Sequence, residues 1–244
     1  MLTIRKANDR GHANHGWLQS HHSFSFASYH DPDHMGFGNL RVLNEDYLAG
    51  GAGFGMHSHR DMEIISYVVE GALAHTDSIG FGSKASASEG LDSGVILPGD
   101  VQLLSAGKGV HHSEFNNLQD SITHFLQIWI FPDRLGNEPG YEQVHVSTEQ
   151  RRGNLALIAS PTSVNGAVTV HADARIRAGF FDGSERHELA LKPDRLSYVH
   201  LVRGSLRVNA WPLEAGDALM LSETDVLTLD DGVHAEVLVF DLKP

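Results

Sequence analysis

Short apolar runs separated by glycine and proline recur along the whole chain. Examples are EIISYVVEG, FLQIWIF, LSYVHLVRG, SLRVNAW and EVLVFDL, which are rich in Val, Ile, Leu and Phe. Runs of this length with turn residues between them are typical of β-strands, and no segment has the periodicity of a long amphipathic helix. The pattern predicts an all-β protein, a sandwich or barrel of short strands, with a short helix at most near Tyr141 to Arg152.

Two pairs of similar stretches occur in the same order, which indicates an internal repeat. VVEGAL resembles LVRGSL, and PGDVQLLS resembles EAGDALMLS further along the chain. Each copy has a strand, a glycine turn, a second strand and then Gly-Asp at the start of another strand. The turn residues of PDRLGNEPG place a boundary within 133–152, and we predict two similar β domains at 1–140 and 141–244.

Composition and charge limit the classes of function. The formal net charge is −13 with histidine neutral, which disfavours direct binding to nucleic acid. Cysteine is absent, so only histidine and carboxylate side chains remain as strong metal ligands. The sequence has no apolar run long enough to span a bilayer and no secretory signal pattern, so we expect a cytoplasmic protein that is not embedded in a membrane.

Two residue pairs carry the candidate chemistry. His57 and His59 lie in GFGMHSHRDME, and His112 and Glu114 lie in SAGKGVHHSEFN. Residues two apart on a strand share a face, so each pair can converge on one point, whereas His111 should point the other way. Three imidazoles and one carboxylate suit Fe(II), Mn, Ni, Cu or Zn and leave positions open for O₂ or a substrate.

The second repeat lacks these pairs. When the two pairs are projected without gaps onto the second copy, they fall on Ala190, Lys192, Leu229 and Asp231. Alanine and leucine have no ligand atom, and the other two residues do not restore a cluster. We therefore expect about one metal ion per chain, bound entirely through the N-terminal domain.

Longer motifs resemble a known family. GAGFGMHSHRDME resembles the first cupin motif and GVHHSEFN the end of the second, and the segments HANHGWLQSHHSFSFASYHDPDHMGFGNLRVLNED, HSHRDMEIISYVVEG and LQIWIFP are similar to those of bacterial pirins. The resemblance implies two tandem cupin (jelly-roll β-barrel) domains, the second of them degenerate and without a metal site. It also implies one mononuclear metal, usually Fe(II), and quercetin 2,3-dioxygenase activity on a small aromatic substrate with O₂. Eukaryotic pirins suggest the alternative, a non-enzymatic metal- or redox-sensing regulator that acts through a protein partner.

The carboxylate ligand has two candidates. Glu63 stands where ordinary cupins place this ligand, and it shares parity with His57 and His59. The pirin pattern instead uses the second-motif glutamate, which maps onto Glu114. We therefore predict His57, His59, His112 and Glu114 as the metal ligands, with Glu114 also acting as the catalytic base, and Glu63 as a residue that orients a ligand histidine.

We predict structural roles for two further regions. Phe24, Phe26 and Tyr29 are predicted to lie in the core or in a pocket wall and not to stack on nucleic acid. The histidines around them have no regular ligand spacing and are predicted to pack around the barrel; they are His12, His15, His21, His22, His30 and His34. The small and polar stretch Gly80 to Gly94 predicts an exposed excursion, either a neutral insertion or a lid over the site mouth.

Overall fold

The fold is almost entirely β, as the hydrophobic pattern predicts. The structure is a computed structural model that describes residues 2–79, 94–164 and 166–244. The predicted excursion lies outside the described residues apart from Gly94. In chain order, the strands of the first half are β1 (Leu2–Arg5), β2 (Gly11–Asn14), β3 (Leu18–His22), β4 (Leu40–Leu48), β5 (Gly53–His59), β6 (Glu63–Glu70), β7 (Leu73–Asp77), β8 (Val95–Ile96), β9 (Asp100–Ser105), β10 (Val110–Asn116), β11 (Thr123–Ile130) and β12 (Gly140–His145). The first half also contains one 3-10 turn, Ala7–Asp9, between β1 and β2.

The second half of the chain begins with one short helix and is otherwise made of strands. The helix α1 spans Thr148–Arg151, inside the segment where a short helix was predicted. Ser147 and Gln150 form a capping box that starts α1. The later strands are β13 (Ala156–Ser160), β14 (Val168–Thr169), β15 (Ala174–Phe181), β16 (His187–Ala190), β17 (Leu196–Val208), β18 (Trp211–Glu214), β19 (Ala218–Ser222) and β20 (Val226–Leu242).

Two facing sheets form the N-terminal sandwich. One has seven strands in the order β12-β9-β6-β11-β4-β3-β2, and the other has four in the order β5-β10-β7-β8. Buried side chains from both sheets meet between them, among them Leu48, Val68, Leu73 and Phe125. Because successive strand residues face opposite ways, every second residue of β4, β6 and β11 points into this space.

A nine-stranded sheet forms most of the C-terminal half. The long strands β17 and β20 pair with each other and with different neighbours at their two ends, so the sheet curves around its own apolar core. That core includes Val199, Leu219, Leu229 and Val237. The strand β1 pairs with β19, so the N-terminal residues complete this sheet, whereas β12 pairs with β9 and extends the N-terminal one.

The two halves pack through the outer face of the seven-stranded sheet. Tyr67 belongs to the same buried cluster as Tyr198 and Phe240 of the C-terminal sheet. The Tyr67 hydroxyl donates to Oε1 of Glu236 at 2.5 Å and accepts from Nη1 of Arg151 at 2.6 Å. These buried polar groups pair with one another across the two halves, which fixes how the halves meet.

The repeat seen in the sequence corresponds to a repeated backbone conformation. Gly71 and Gly204, from the two copies, have φ values of +88° and +77°, a region that favours glycine. Asp100 and Asp217, which follow the glycines of the two Gly-Asp pairs, close the same type of turn. In each, a carboxylate oxygen accepts from the backbone N–H three residues earlier, at 3.0 Å and 3.2 Å.

Candidate metal centre

Three histidines of the four-stranded sheet meet at one point. His57 on β5 lies directly across from His112 on β10, and His59 follows two residues along β5 on the same face. The ring centroids are 4.4 Å apart for His57 and His112, 4.8 Å for His57 and His59, and 4.9 Å for His59 and His112. One ring nitrogen from each lies within 4.8 Å of the others, and we call this group the histidine triad.

The ring nitrogens of the triad suit a divalent transition metal. Nδ1–H of His57 donates to the Gly55 carbonyl at 2.8 Å, which leaves the Nε2 lone pair free. His112 is 1% exposed, and neither of its ring nitrogens has a hydrogen-bond partner within the described part of the chain. Burial, followed by the neighbouring imidazoles, lowers the pKa of His59 to about 4 and of His112 to about 2. Neutral imidazoles with free lone pairs are the form that binds such metals.

Glu114 lies beside the triad on β10, beyond a bulge in the pairing with β5. Its side chain is buried, and its two oxygens accept from Oγ of Ser66 at 2.9 Å and from Nε2 of Gln127 at 2.8 Å. Burial raises the pKa of this carboxyl. Glu114 forms a group within 4.8 Å with His112 and His75, so the four predicted ligands fall into two groups that share His112.

His75 has a place in this centre that the sequence reasoning missed. It lies on β7 directly opposite Glu114, and its Nε2–H donates to Oδ2 of Asp77 at 3.1 Å. Both side chains are fully buried, and Nδ1 of His75 has no partner among the described residues. Histidines that bind a metal commonly donate their other ring N–H to a carboxylate in this way. The feature of the sequence that could have indicated this role is the His-x-Asp pair in ALAHTD.

The prediction that Glu63 orients a ligand histidine is wrong. The even spacing of Glu63 from His57 and His59 does not put the three side chains on one face, because the strand is interrupted between them. Asp61 has φ of +51°, and the chain passes from one sheet to the other between β5 and β6. Glu63 points away from the triad, and its carboxylate accepts from Oγ of Ser105 on the neighbouring strand β9 at 2.8 Å and from the backbone N–H of His171 in the C-terminal half at 3.0 Å.

A cavity of about 660 Å³ opens between the two sheets next to the triad. The triad and Glu114 form part of its lining, and the aromatic side chains Trp17, Phe26, Phe54 and Trp129 form much of the rest. Phe26 and Tyr29 line this cavity while Phe24 is buried in the core, which confirms the prediction that these aromatic residues lie in the core or in a pocket wall.

The remaining histidines near the centre take several positions. His12, His15 and His22 line the cavity, and Nδ1–H of His34 donates a hydrogen bond to Oδ2 of Asp31 at 2.9 Å. His111 is exposed, whereas its neighbours on β10 are buried. This alternation confirms that His111 points away from the triad.

The fold and the matching family models define the class of protein as a bicupin. The family model described as Pirin matches residues 3–130, and the model described as Quercetinase C-terminal cupin domain matches residues 157–242. The expectation of two tandem cupin domains is therefore confirmed. The chain belongs to the pirin family.

Relatives match along the full length of the chain. A quercetin 2,3-dioxygenase of Escherichia coli strain K12 is 38% identical and covers 100% of both chains, and a pirin-like protein of Caulobacter vibrioides is 37% identical over 97% of this chain and 98% of its own. The crystal structure of the bacterial pirin YhhW from Escherichia coli in complex with nickel(II) is 37% identical, covers 100% of both chains and has a TM-score of 0.89. These likenesses support a metal-dependent function of the dioxygenase type.

Within residues 2–79, 94–164 and 166–244, no helix is both long enough and apolar enough to cross a bilayer.

Proposed function

We propose that this protein is a metal-dependent dioxygenase that cleaves flavonol-type substrates with O₂. The observation that carries the proposal is the position of the histidine triad, with free ring nitrogens, in the wall of a largely aromatic cavity beside a buried carboxylate. A cavity of about 660 Å³ lies within the range of roughly 300–1,000 Å³ typical of small-molecule sites. A planar aromatic molecule suits its aromatic lining.

The metal ligands in this proposal are His57, His59, His112 and Glu114. His112 belongs to both groups of candidate ligand atoms and Glu114 belongs to the second, which supports Glu114 as the fourth ligand. We propose Fe(II) as the native ion, with Cu, Mn, Ni and Zn as alternatives that the same donor set accepts. When bound, such an ion acts as a Lewis acid that lowers the pKa of a coordinated hydroxyl and provides an open position for O₂.

Glu114 is the proposed proton acceptor for the 3-hydroxyl of the flavonol. Ser66 and Gln127 hold both of its oxygens in place, so the carboxylate meets the substrate in one orientation. In the expected reaction, both atoms of O₂ enter the organic product and the carbon that bore the 3-hydroxyl leaves as carbon monoxide.

The cavity walls have a second role, the exclusion of water. Phe26, Phe54 and Trp129 surround the approach to the triad, and Trp129 stands edge-on to His59 with ring centroids 4.9 Å apart. An apolar enclosure strengthens the electrostatic effect of the carboxylate and limits hydrolysis of reactive species.

The test is anaerobic loading with Fe(II), followed by addition of quercetin and O₂. Loss of quercetin, uptake of O₂ and release of carbon monoxide in equal amounts, all in proportion to the bound metal, would support the proposal. A fully loaded protein that binds metal yet leaves quercetin intact would instead favour the alternative, a metal- or redox-sensing regulator that acts through a protein partner.

A further inference from the structure

A continuous row of polar side chains crosses the inner face of the seven-stranded sheet. Neighbouring strands place these residues directly opposite one another, a position where cross-strand side chains touch. The inner face of a sandwich normally carries apolar residues. In order across β3, β4, β11, β6 and β9, the row consists of His22, Asn44, Gln127, Ser66 and Gln102.

The middle of this row and its β3–β4 end differ in their hydrogen bonding. Gln127 and Ser66 both donate to Glu114, which accounts for the middle of the row. At the β3–β4 end, both ring nitrogens of His22 and Oδ1 of Asn44 have no partner among the described residues. Asp46, two residues along β4 on the same face, likewise has an unpartnered Oδ1.

These unpartnered groups are buried and face the cavity. His22, Asn44 and Asp46 are 4%, 2% and 4% exposed, and all three line the cavity. An unsatisfied buried polar group costs about 1–3 kcal/mol, so a cluster of them in a stable fold indicates that something else completes their hydrogen bonds. They lie on the seven-stranded sheet, whereas the histidine triad lies on the four-stranded sheet that faces it.

We propose that His22, Asn44 and Asp46 form a hydrogen-bonding subsite for the hydroxyl groups of a polyhydroxylated aromatic ligand, on the cavity wall opposite the triad. This inference rests on the proposed function and specifies which flavonols the site takes. The unpartnered oxygens of Asn44 and Asp46 need donors. Burial lowers the pKa of His22 to about 4, so its neutral ring offers one donor and one acceptor.

A phenolic hydroxyl meets these requirements, because it can donate to a carboxylate or amide oxygen and accept from an imidazole N–H. The ring that bears it would lie among the aromatic side chains Phe26, Phe54 and Trp129. Sites that bind a hydroxyl through buried polar groups reject the analogue that lacks it, since those groups are then left unpaired. The subsite therefore predicts selection for hydroxyls remote from the 3-hydroxy-4-keto edge.

The experiment compares quercetin with 3-hydroxyflavone, which keeps the 3-hydroxy-4-keto edge and lacks the remote hydroxyls. Binding is followed by ligand absorbance, without O₂, on Ni(II)-loaded full-length protein. Asn44→Leu and Asp46→Leu should each weaken quercetin binding by about 10-fold, the worth of one lost hydrogen bond, and change 3-hydroxyflavone binding by less than about 2-fold. Asp46→Asn keeps the shape of the side chain and serves as a control in case Asp46→Leu misfolds. It should weaken quercetin binding by a smaller factor than Asp46→Leu does.

Gln102→Leu is the matched control. Gln102 belongs to the same polar row, is 2% exposed and has an unpartnered Nε2, but it is not among the residues that line the cavity. Its replacement should leave binding of both ligands unchanged. Without ligand, Asn44→Leu should melt at a higher temperature than wild type, because the variant removes an unpaired buried oxygen.

Three results would overturn the subsite. Equal loss of affinity for both ligands would mean that the variants damage the cavity in general. Unchanged quercetin affinity would mean that water completes the hydrogen bonds. Failure of wild-type protein to bind either ligand would remove the flavonol substrate and the subsite together. In contrast, selective binding of quercetin without turnover would refute the dioxygenase proposal alone and support the subsite.

Discussion

Replacement of Asp46 by asparagine should remove a large pH dependence from the stability of the metal-free protein. The carboxyl is buried on β4 with one oxygen unpartnered. Burial raises its pKa from 3.8 to about 7; a hydrogen bond from Ser20 opposes the shift, and the carboxylates of Glu114 and Glu45 add to it. The ionised side chain therefore destabilises the folded state.

The magnitude follows from the difference between the two pKa values. The unfolded chain releases this proton near pH 3.8 and the folded chain near pH 7, so the stabilising contribution is complete below 3.8 and is lost as pH rises to about 7. At about 1.4 kcal/mol per pKa unit, the full loss is about 4 kcal/mol, of which about 3 kcal/mol falls between pH 5 and pH 8. Asparagine carries no charge, so Asp46→Asn should escape that loss.

Urea unfolding in EDTA at pH 5, 6, 7 and 8 measures the effect. The free energy of unfolding of Asp46→Asn minus that of wild type should rise by about 3 kcal/mol from pH 5 to pH 8, since other titrating groups cancel in the difference. Asp46→Leu should give the same slope with a different offset. Parallel pH profiles for wild type and Asp46→Asn would refute the reasoning and indicate that the carboxylate is well solvated.

Three further predictions concern the metal centre and the packing of the two halves. His112→Ala should abolish metal binding, measured by elemental analysis, because His112 belongs to both groups of ligand atoms; full retention would contradict its role. Glu114→Gln should lower quercetin turnover by about 10²-fold or more while metal content falls only partly, and full turnover by this variant would exclude Glu114 as the base. Glu63→Gln should leave turnover and metal content unchanged, because Glu63 points away from the triad, toward His171 in the C-terminal half. Arg151→Met should cost about 3 kcal/mol in urea unfolding, because it leaves Glu236 buried with one cation fewer, and an unchanged midpoint would contradict this.

Strand periodicity predicted the parts of the site that lie within single strands. His57 and His59 share a face on β5 and His111 points away on β10, because side chains alternate along a strand whatever the strand pairs with. The repeat was equally visible, since glycine is needed where φ is positive, as at Gly71 and Gly204. Local rules suffice for such features.

Features that depend on which strands meet were not accessible from local pattern. The direction of Glu63 depends on the break at Asp61 between two sheets, and the pairing of β1 with β19 joins segments from opposite ends of the chain. Asn44 and Asp46 stand in LRVLNEDYL, where polar residues suggest exposure to solvent, yet they are buried because they lie on the face of β4 that lines the cavity between the two sheets. Tertiary context determines the role of such residues.

The most direct test of a metal-dependent dioxygenase at the histidine triad combines metal content with oxygen-dependent quercetin loss in two proteins. Wild type and the double variant His57→Ala/His59→Ala are loaded with Fe(II) under identical anaerobic conditions, desalted, analysed for metal and then given quercetin and air. We predict about one equivalent of metal and steady quercetin loss for wild type, with neither for the double variant. A double variant that keeps a full equivalent, or a fully loaded wild type that leaves quercetin intact, would contradict the central claim.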